Sequence, residues 1–172
     1  MLWKLLFGQD SHKFDFNNKN KPLILGGVIF DNYPPLNGNS DSDVILHSIT
    51  NAISGITSVN IIGEAADDMC IRGITDSKAY LQEALKYLKN DILHVSISVE
   101  CKTPKIAPKI NDIRKSISNI LNIPAAAVGI TATSGEGLTE FGKGNRNTGF
   151  HHYYCWIKLA NFIEGNIWIK YI

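Results

Sequence analysis

Near the start of the chain, the stretch "FGQDSHKF" at 7–14 sets Asp10 two residues before His12. The stretch reads as a strand, and in a strand residues i and i+2 face the same side. One face would then present a carboxylate and an imidazole together. Those are two of the three nitrogen or oxygen ligands of a catalytic zinc site, which keeps a fourth position for water or substrate. A D-x-H pair is also common on ordinary surfaces, where the two groups share a hydrogen bond, so a third ligand has to come from elsewhere. His47 lies inside an otherwise apolar helix, where a satisfied core histidine is the plainer reading. His94 falls on the polar face of a strand. His151 and His152 are adjacent, and adjacent strand residues point to opposite faces, so they make a poor joint set.

The elements that must position these residues follow from periodicity. "PLILGGVIF" at 22–30 is β-rich, with a Gly pair that marks a bulge. The next thirteen residues, "DNYPPLNGNSDSD", are turn chemistry. The segment 40–56 reads as a helix with Ser40 or Asp41 as N-cap and Ile45, Ile49, Ala52 and Ile53 as its apolar stripe. Residues 55–76 show no clean period and read as a long loop. The segment 76–90 is an amphipathic helix, with Tyr80, Leu81, Ala84, Leu85 and Leu88 on one face. At 93–101, Leu93, Val95, Ile97, Val99 and Cys101 alternate with polar residues, the mark of a half-buried strand. A third helix covers 109–123, with Ile110, Ile113, Ile117 and Leu121 at helical spacing. A strand at 125–134 leads into the Gly-rich "GEGLTEFGKG", and 150–162 is a last strand with Tyr153, Cys155, Ile157 and Leu159 on one face. This order implies an α+β fold, a single domain over 1–172 with helices packed on one side of a mixed, mainly antiparallel β-sheet. Residues 162–172 are set apart as an apolar tail.

Composition bounds the function classes. The chain has 172 residues, 44% of them hydrophobic, which suits one domain with a real core. A net charge of +1 gives no charge-driven nucleic-acid partner. Cys70, Cys101 and Cys155 form no CxxC pair and are expected as reduced thiols. The opening apolar run is too short for a signal peptide, and no run approaches the ~18 residues of a membrane span. A soluble, cytoplasmic protein is expected, or one of a plastid-type stroma in a eukaryote, with no targeting segment here and no membrane partner.

Taken in order, "DSH", "PLILGGV", "GNSDSDVILHSI", "IIGEAADDMCIRGITDS", "KTPKIAP" and "TATSGEGLTEFGKG" resemble the 2-C-methyl-D-erythritol 2,4-cyclodiphosphate synthases of non-mevalonate isoprenoid biosynthesis. The resemblance spans roughly residues 6 to 160. It implies zinc on Asp10, His12 and His47, one ion per chain, and magnesium or manganese on Glu136 with the substrate. It implies phosphate contacts from Asn39, Ser40, Thr133, Ser134 and Lys143, and further substrate contacts from Gly63 and Asp68. The nucleobase pocket corresponds to 101–107, where Pro104 and Lys105 match the family's Pro-Lys. A homotrimer with active sites between subunits is implied as well, as is a cytidyl diphosphate substrate.

Several positions depart from the family's pattern. Asn39 replaces a His, Asn51 an Asp, and Ser134 a Thr that shares its hydroxyl. Ile61 stands where an Asp holds the cytidine ribose, and Ala66, Asp67 and Asp68 replace Phe-Pro-Asp. Glu140 and Lys143 replace a Phe and an Arg. Two functions are therefore carried forward. One is the cyclising lyase, in which a 2-phosphate attacks a β-phosphorus and CMP leaves. The other is a non-catalytic, metal-stabilised paralogue that binds an isoprenoid or nucleotide diphosphate.

Overall fold

The computed structural model describes residues 5–139 and the backbone of 154–160. Residues 1–4, 140–153 and 161–172 lie outside that set, and with them the expected Lys143 contact and the 162–172 tail. The central element is helix α1 (Val44–Thr57). Its apolar residues Val44, Ile45, Leu46, Ile49, Ala52 and Ile53 are all buried. A helix apolar on so many faces must be covered on several sides. It packs against helix α3 (Ser77–Leu85), the strands β1 (Leu5–Leu6) and β6 (Tyr154–Ala160), and the hairpin strand β2 (Leu23–Leu25).

The N-cap of α1 is Asp43, not Ser40 or Asp41. Its side chain accepts the amides of Ile45 at 3.1 Å and Leu46 at 3.2 Å. It also accepts the amides of Gly26 at 2.8 Å and Gly27 at 2.6 Å. Those glycines form no bulge. They are the two-residue turn between β2 and β3 (Val28–Phe30), with φ of 62° and 75°. Positive φ at both turn positions suits the twist of a hairpin and strongly favours glycine. One carboxylate thus joins four amides of two elements. Burial pushes Asp43 up to about 6, against the pull of the backbone amides, which favour its anion.

The main sheet runs β1-β6-β4-β5, where β4 is Val95–Glu100 and β5 is Val128–Thr133. β4 pairs parallel with β5 and antiparallel with β6, and β1 pairs antiparallel with β6. The sheet is mixed and mainly antiparallel, as its sequence pattern indicated. Val95, Ile97 and Val99 are buried, together with Val128 and Ile130 opposite them, whereas Ser96, Thr131 and Thr133 are exposed. Helix α4 (Ile110–Leu121) covers the buried face with Ile113, Ile117 and Leu121, four residues apart, and ends at Asn122 in the left-handed region.

Strand and helix ends shift by a few residues, with Leu93 exposed before β4 and 125–127 a 3-10 turn before β5, and three expectations change further. The segment 55–76 is not one loop, because helix α2 (Glu64–Ile71) lies within it. Only Ala66 and Met69 of α2 are buried, and Gly63 before it offers no side-chain cap, so its pattern is faint. Helix α3 stops at Leu85, five residues before the expected end at 90. The stretch 7–14 is not a strand either; only Phe14 bridges, to Leu36.

Asp43→Ala strands four amide donors, at least three of them buried. A buried donor left unmade costs about 1–3 kcal/mol. Urea denaturation should show a stability loss of about 3 kcal/mol or more, with Asp43→Asn between the two because one acceptor oxygen survives.

Candidate metal centre

Asp10, His12 and His47 meet although they share no strand. Asp10 Oδ2 lies 2.9 Å from His12 Nε2 and 3.0 Å from His47 Nδ1, and the two nitrogens are 3.2 Å apart. Each arrives by a different local device. His47 is one turn into α1, behind the Asp43 cap. The Asp10 segment lies tight on α1 because residue 8 is glycine: a Cβ there would sit 2.2 Å from the Ser48 carbonyl oxygen and 2.4 Å from the Ala52 nitrogen. Asn51 then pins the segment by donating its amide to the Gln9 carbonyl at 3.0 Å. His12 is carried by a stretch tied to 35–37, where Asn37 N–H donates to Lys13 and Asp15 N–H to Pro35.

The hydrogen bonds behind the imidazoles set which nitrogens face inward. His12 Nδ1 is 2.8 Å from the Asn37 carbonyl, an acceptor only, so this nitrogen holds the proton. Ser77 donates its hydroxyl to Asp41, so it accepts from His47 Nε2 at 2.7 Å. Both inner nitrogens of the neutral rings therefore point lone pairs at a carboxylate oxygen. Three acceptor atoms that converge with no hydrogen among them need either extra protons or a cation. Atoms 2.9–3.2 Å apart can all lie within the ~2.0–2.2 Å bond lengths of zinc from one point. The residues present thus fit a divalent cation, with outer partners of the kind that orient metal-bound histidines. Electrostatics agree. Burial would raise the Asp10 carboxyl, but the two imidazoles hold it far below the usual carboxylate range. Burial likewise opposes the charge on His12, and Asp10 outweighs it and raises that imidazole.

The pocket around this trio has a volume of about 160 Å³. Asn39, Ser40 and Gly63 line it, as does Asp67. Asn39 donates its amide to Asp67 at 3.3 Å. Asp68 is exposed on the same helix and is not part of the lining. Ile61 is 2% exposed, a core residue.

The other expected residues lie apart. Thr133 ends β5, and its hydroxyl accepts the Gly135 amide at 3.1 Å. Ser134 is half-buried, and Glu136 sits exposed in the next turn at φ 47°. Pro104 is buried beyond β4, and Lys105 is exposed. Cys101 N–H donates to the Thr133 carbonyl at 3.0 Å, which brings the ends of β4 and β5 together. Burial pushes the Cys101 thiol up to about 12, so it stays protonated. Among the described residues, none of this second group lines the pocket of Asp10, His12 and His47. His94 is exposed beside Gly129, and His151 and His152 lie outside the described residues.

A small single-domain α+β fold thus brings one carboxylate and two imidazoles together in one pocket, as a group that could hold a metal ion. The chain belongs to the YgbB family, whose sequence model matches residues 4–151. It is 51% identical over 147 residues, 84% of each chain, to a 2-C-methyl-D-erythritol 2,4-cyclodiphosphate synthase of Chlamydia caviae. It is 47% identical over 146 residues to the protein of that name from Chlamydia trachomatis serovar A, covering 83% of this chain and 82% of that one. Among solved structures, the IspF of Plasmodium falciparum in a CDP complex matches with a TM-score of 0.73 and 28% identity over 95% of this chain and 97% of that one. A 2C-methyl-D-erythritol-2,4-cyclodiphosphate synthase structure with 23% identity and a TM-score of 0.75 over 92% of this chain and all of that one shares the fold.

Sequence reasoning passed over Ser77, which meets His47 across thirty residues of chain, and took Asp41, the acceptor behind Ser77, only for an N-cap. Ser77→Ala removes the acceptor behind His47. Loss of such an outer partner typically costs about 10–100-fold in metal affinity. Titration of zinc-loaded protein with a chelator should show a weakening of that size, while His47→Ala should lose the ion altogether.

Proposed function

We infer that this chain performs the cyclisation for which its relatives are named. The substrate is 4-diphosphocytidyl-2-C-methyl-D-erythritol 2-phosphate, and the products are 2-C-methyl-D-erythritol 2,4-cyclodiphosphate and CMP, in non-mevalonate isoprenoid precursor biosynthesis. The observation that carries this is the convergence of Asp10, His12 and His47 in a chain 51% identical to a synthase. An oxygen of the 2-phosphate bonds to the β-phosphorus, the bond from that phosphorus to the bridging oxygen breaks, and CMP leaves with the electron pair. The nucleophile is already an anion at neutral pH, so the protein needs no strong base. It has to fold a flexible substrate on itself and offset crowded negative charge.

Asp10, His12 and His47 would hold zinc and Glu136 would hold magnesium or manganese, and these ions would supply Lewis-acid neutralisation of the phosphates. Asn39 and Ser40 sit in the pocket wall and donate hydrogen bonds to phosphate oxygens. The hydroxyls of Thr133 and Ser134 donate from the other group. Pro104, Lys105 and the neighbouring backbone take the cytosine, while Gly63 and the α2 acids face the sugar side.

The separation of these groups within one chain supports a homotrimer whose sites combine residues of two subunits. The exposed polar face of the sheet, with Ser96, Thr131 and Thr133, leaves room for a partner copy. The cytoplasm, or a plastid-type stroma, is the proposed location. No helix of the described residues is long and apolar enough to cross a membrane. The alternative, a paralogue that binds a diphosphate without turnover, rests on Asn39, Asn51 and Ile61. Asn51 and Ile61 have structural work here, in a backbone hydrogen bond and in the core, which weakens that alternative.

Zinc-loaded protein with magnesium should release CMP from the cytidyl substrate, with the phosphorus NMR signals of a cyclic diphosphate as the second product. Glu136→Gln should slow release and raise the magnesium requirement. Binding without CMP release would select the alternative. Sedimentation should give a mass three times that of the 19.0 kDa chain, and a single-chain mass would contradict the shared site.

A further inference from the structure

The loop 38–42 separates two cavities. On one side is the metal pocket, and on the other a groove of about 760 Å³ between the hairpin, α3 and α4, with Asn39 and Ser40 in the lining of both. The loop has no regular hydrogen-bond ladder of its own; Asp41 is tied to Thr75 and Ser77, which leaves Asn39 and Ser40 still to be held, and Ser42 is left-handed, with φ 59°. Something must fix it if Asn39 and Ser40 are to meet a phosphate at a set position.

Lys21 does so from the groove side. Its ammonium donates to the Ser40 carbonyl at 2.7 Å and the Ser42 hydroxyl at 3.1 Å, with a longer contact to the Gly38 carbonyl at 3.4 Å. An ammonium has three hydrogens, and all three are spent on this loop. Ser40 and Ser42 are buried, so the groups that Lys21 satisfies have little access to water.

We propose that Lys21 is a positioning residue for the anionic ligand: it holds the loop 38–42 so that Asn39 and Ser40 present their donors to a diphosphate, and it adds one fixed positive charge behind them. This rests on the functional reading above and extends it to a residue that touches neither metal nor substrate. A long flexible lysine is ordinarily a solvated surface charge. Here its hydrogen bonds all go inward, to one loop.

The test compares zinc-loaded wild type with Lys21→Met, which keeps the stem and removes charge and donors, and Lys21→Arg, which keeps both. Lys21→Met should retain full zinc content and lower kcat/KM for CMP release at least tenfold, with Lys21→Arg recovering most of the loss. Amide hydrogen exchange over 38–42 should rise at least tenfold in Lys21→Met and stay near wild type in Lys21→Arg. Unchanged turnover with unchanged exchange overturns the proposal, and so does a turnover loss that Lys21→Arg does not repair. Loss of zinc in Lys21→Met would also overturn it, since the effect would then lie in the metal site. If wild type itself releases no CMP, the functional reading fails while exchange over 38–42 still decides whether Lys21 anchors the loop.

Discussion

A single buried carboxylate sets the geometry on which the site depends. Asp43 caps α1 and at the same time closes the Gly26–Gly27 turn. The cap fixes where α1 begins, and His47 follows one turn later. The turn fixes the hairpin against α4, where a Cβ at residue 26 would meet Ile113 Cγ2 at 2.4 Å. Two sequence-distant pieces thus share one electrostatic anchor. Four amide donors with local positive ends are what allows an acid to remain where burial opposes its charge. The metal ligands inherit their positions from this anchor, from the close approach of Gly8 to α1 and from the Asn51 clamp.

How much of this was legible in the sequence depended on whether the signal was local. α1, α3, α4, β4 and β5 announce themselves by buried residues at periods of 3.6 or 2. α2 does not, because a helix that buries only Ala66 and Met69 writes no stripe. Asp10 and His12 were found for their residue types, but strand parity is not what joins them; irregular backbone held by tertiary contacts is. Ser77 fell within the helical pattern of 76–90, Asp41 in turn chemistry, and Lys21 in no pattern at all. Their partners lie 17 to 36 residues away, and no local pattern encodes such a pairing. Asp43 was hidden for a related reason: the local pattern pointed to Ser40 or Asp41 as the cap, and the residue that caps is the one the Gly pair can also reach.

The departures from the family pattern take on meaning from the same contacts. At residue 51 an amide can donate to the Gln9 carbonyl, and an ionised carboxylate cannot. Asn51 therefore exchanges a charge for a clamp on the segment of Asp10. Ile61 lies in the core, and its own N–H donates to the Ser54 hydroxyl at 3.3 Å. Of the α2 acids, Asp67 lines the pocket and is bonded to Asn39. Asn39 and Asp67 thus meet each other, and the pair forms a polar wall of the pocket.

That wall sharpens the electrostatic problem of the site. The pocket gathers Asp10 and Asp67 with two imidazole lone pairs, and Asp41 stands behind. A diphosphate brings further negative charge to the same place. Like charges ~4 Å apart repel by about 4 kcal/mol at an effective dielectric constant of ~20. Neutral donors such as Asn39 and Ser40, worth about 0.5–1.5 kcal/mol each, do not overcome that. The charge of Lys21 offsets part of it but is already shared with two carbonyls and a hydroxyl. The sign of the pocket has to be inverted before an anion can settle, and a bound cation is the largest local charge able to do it. On the proposed function, cation first and diphosphate second is the binding order that this arrangement of charges favours.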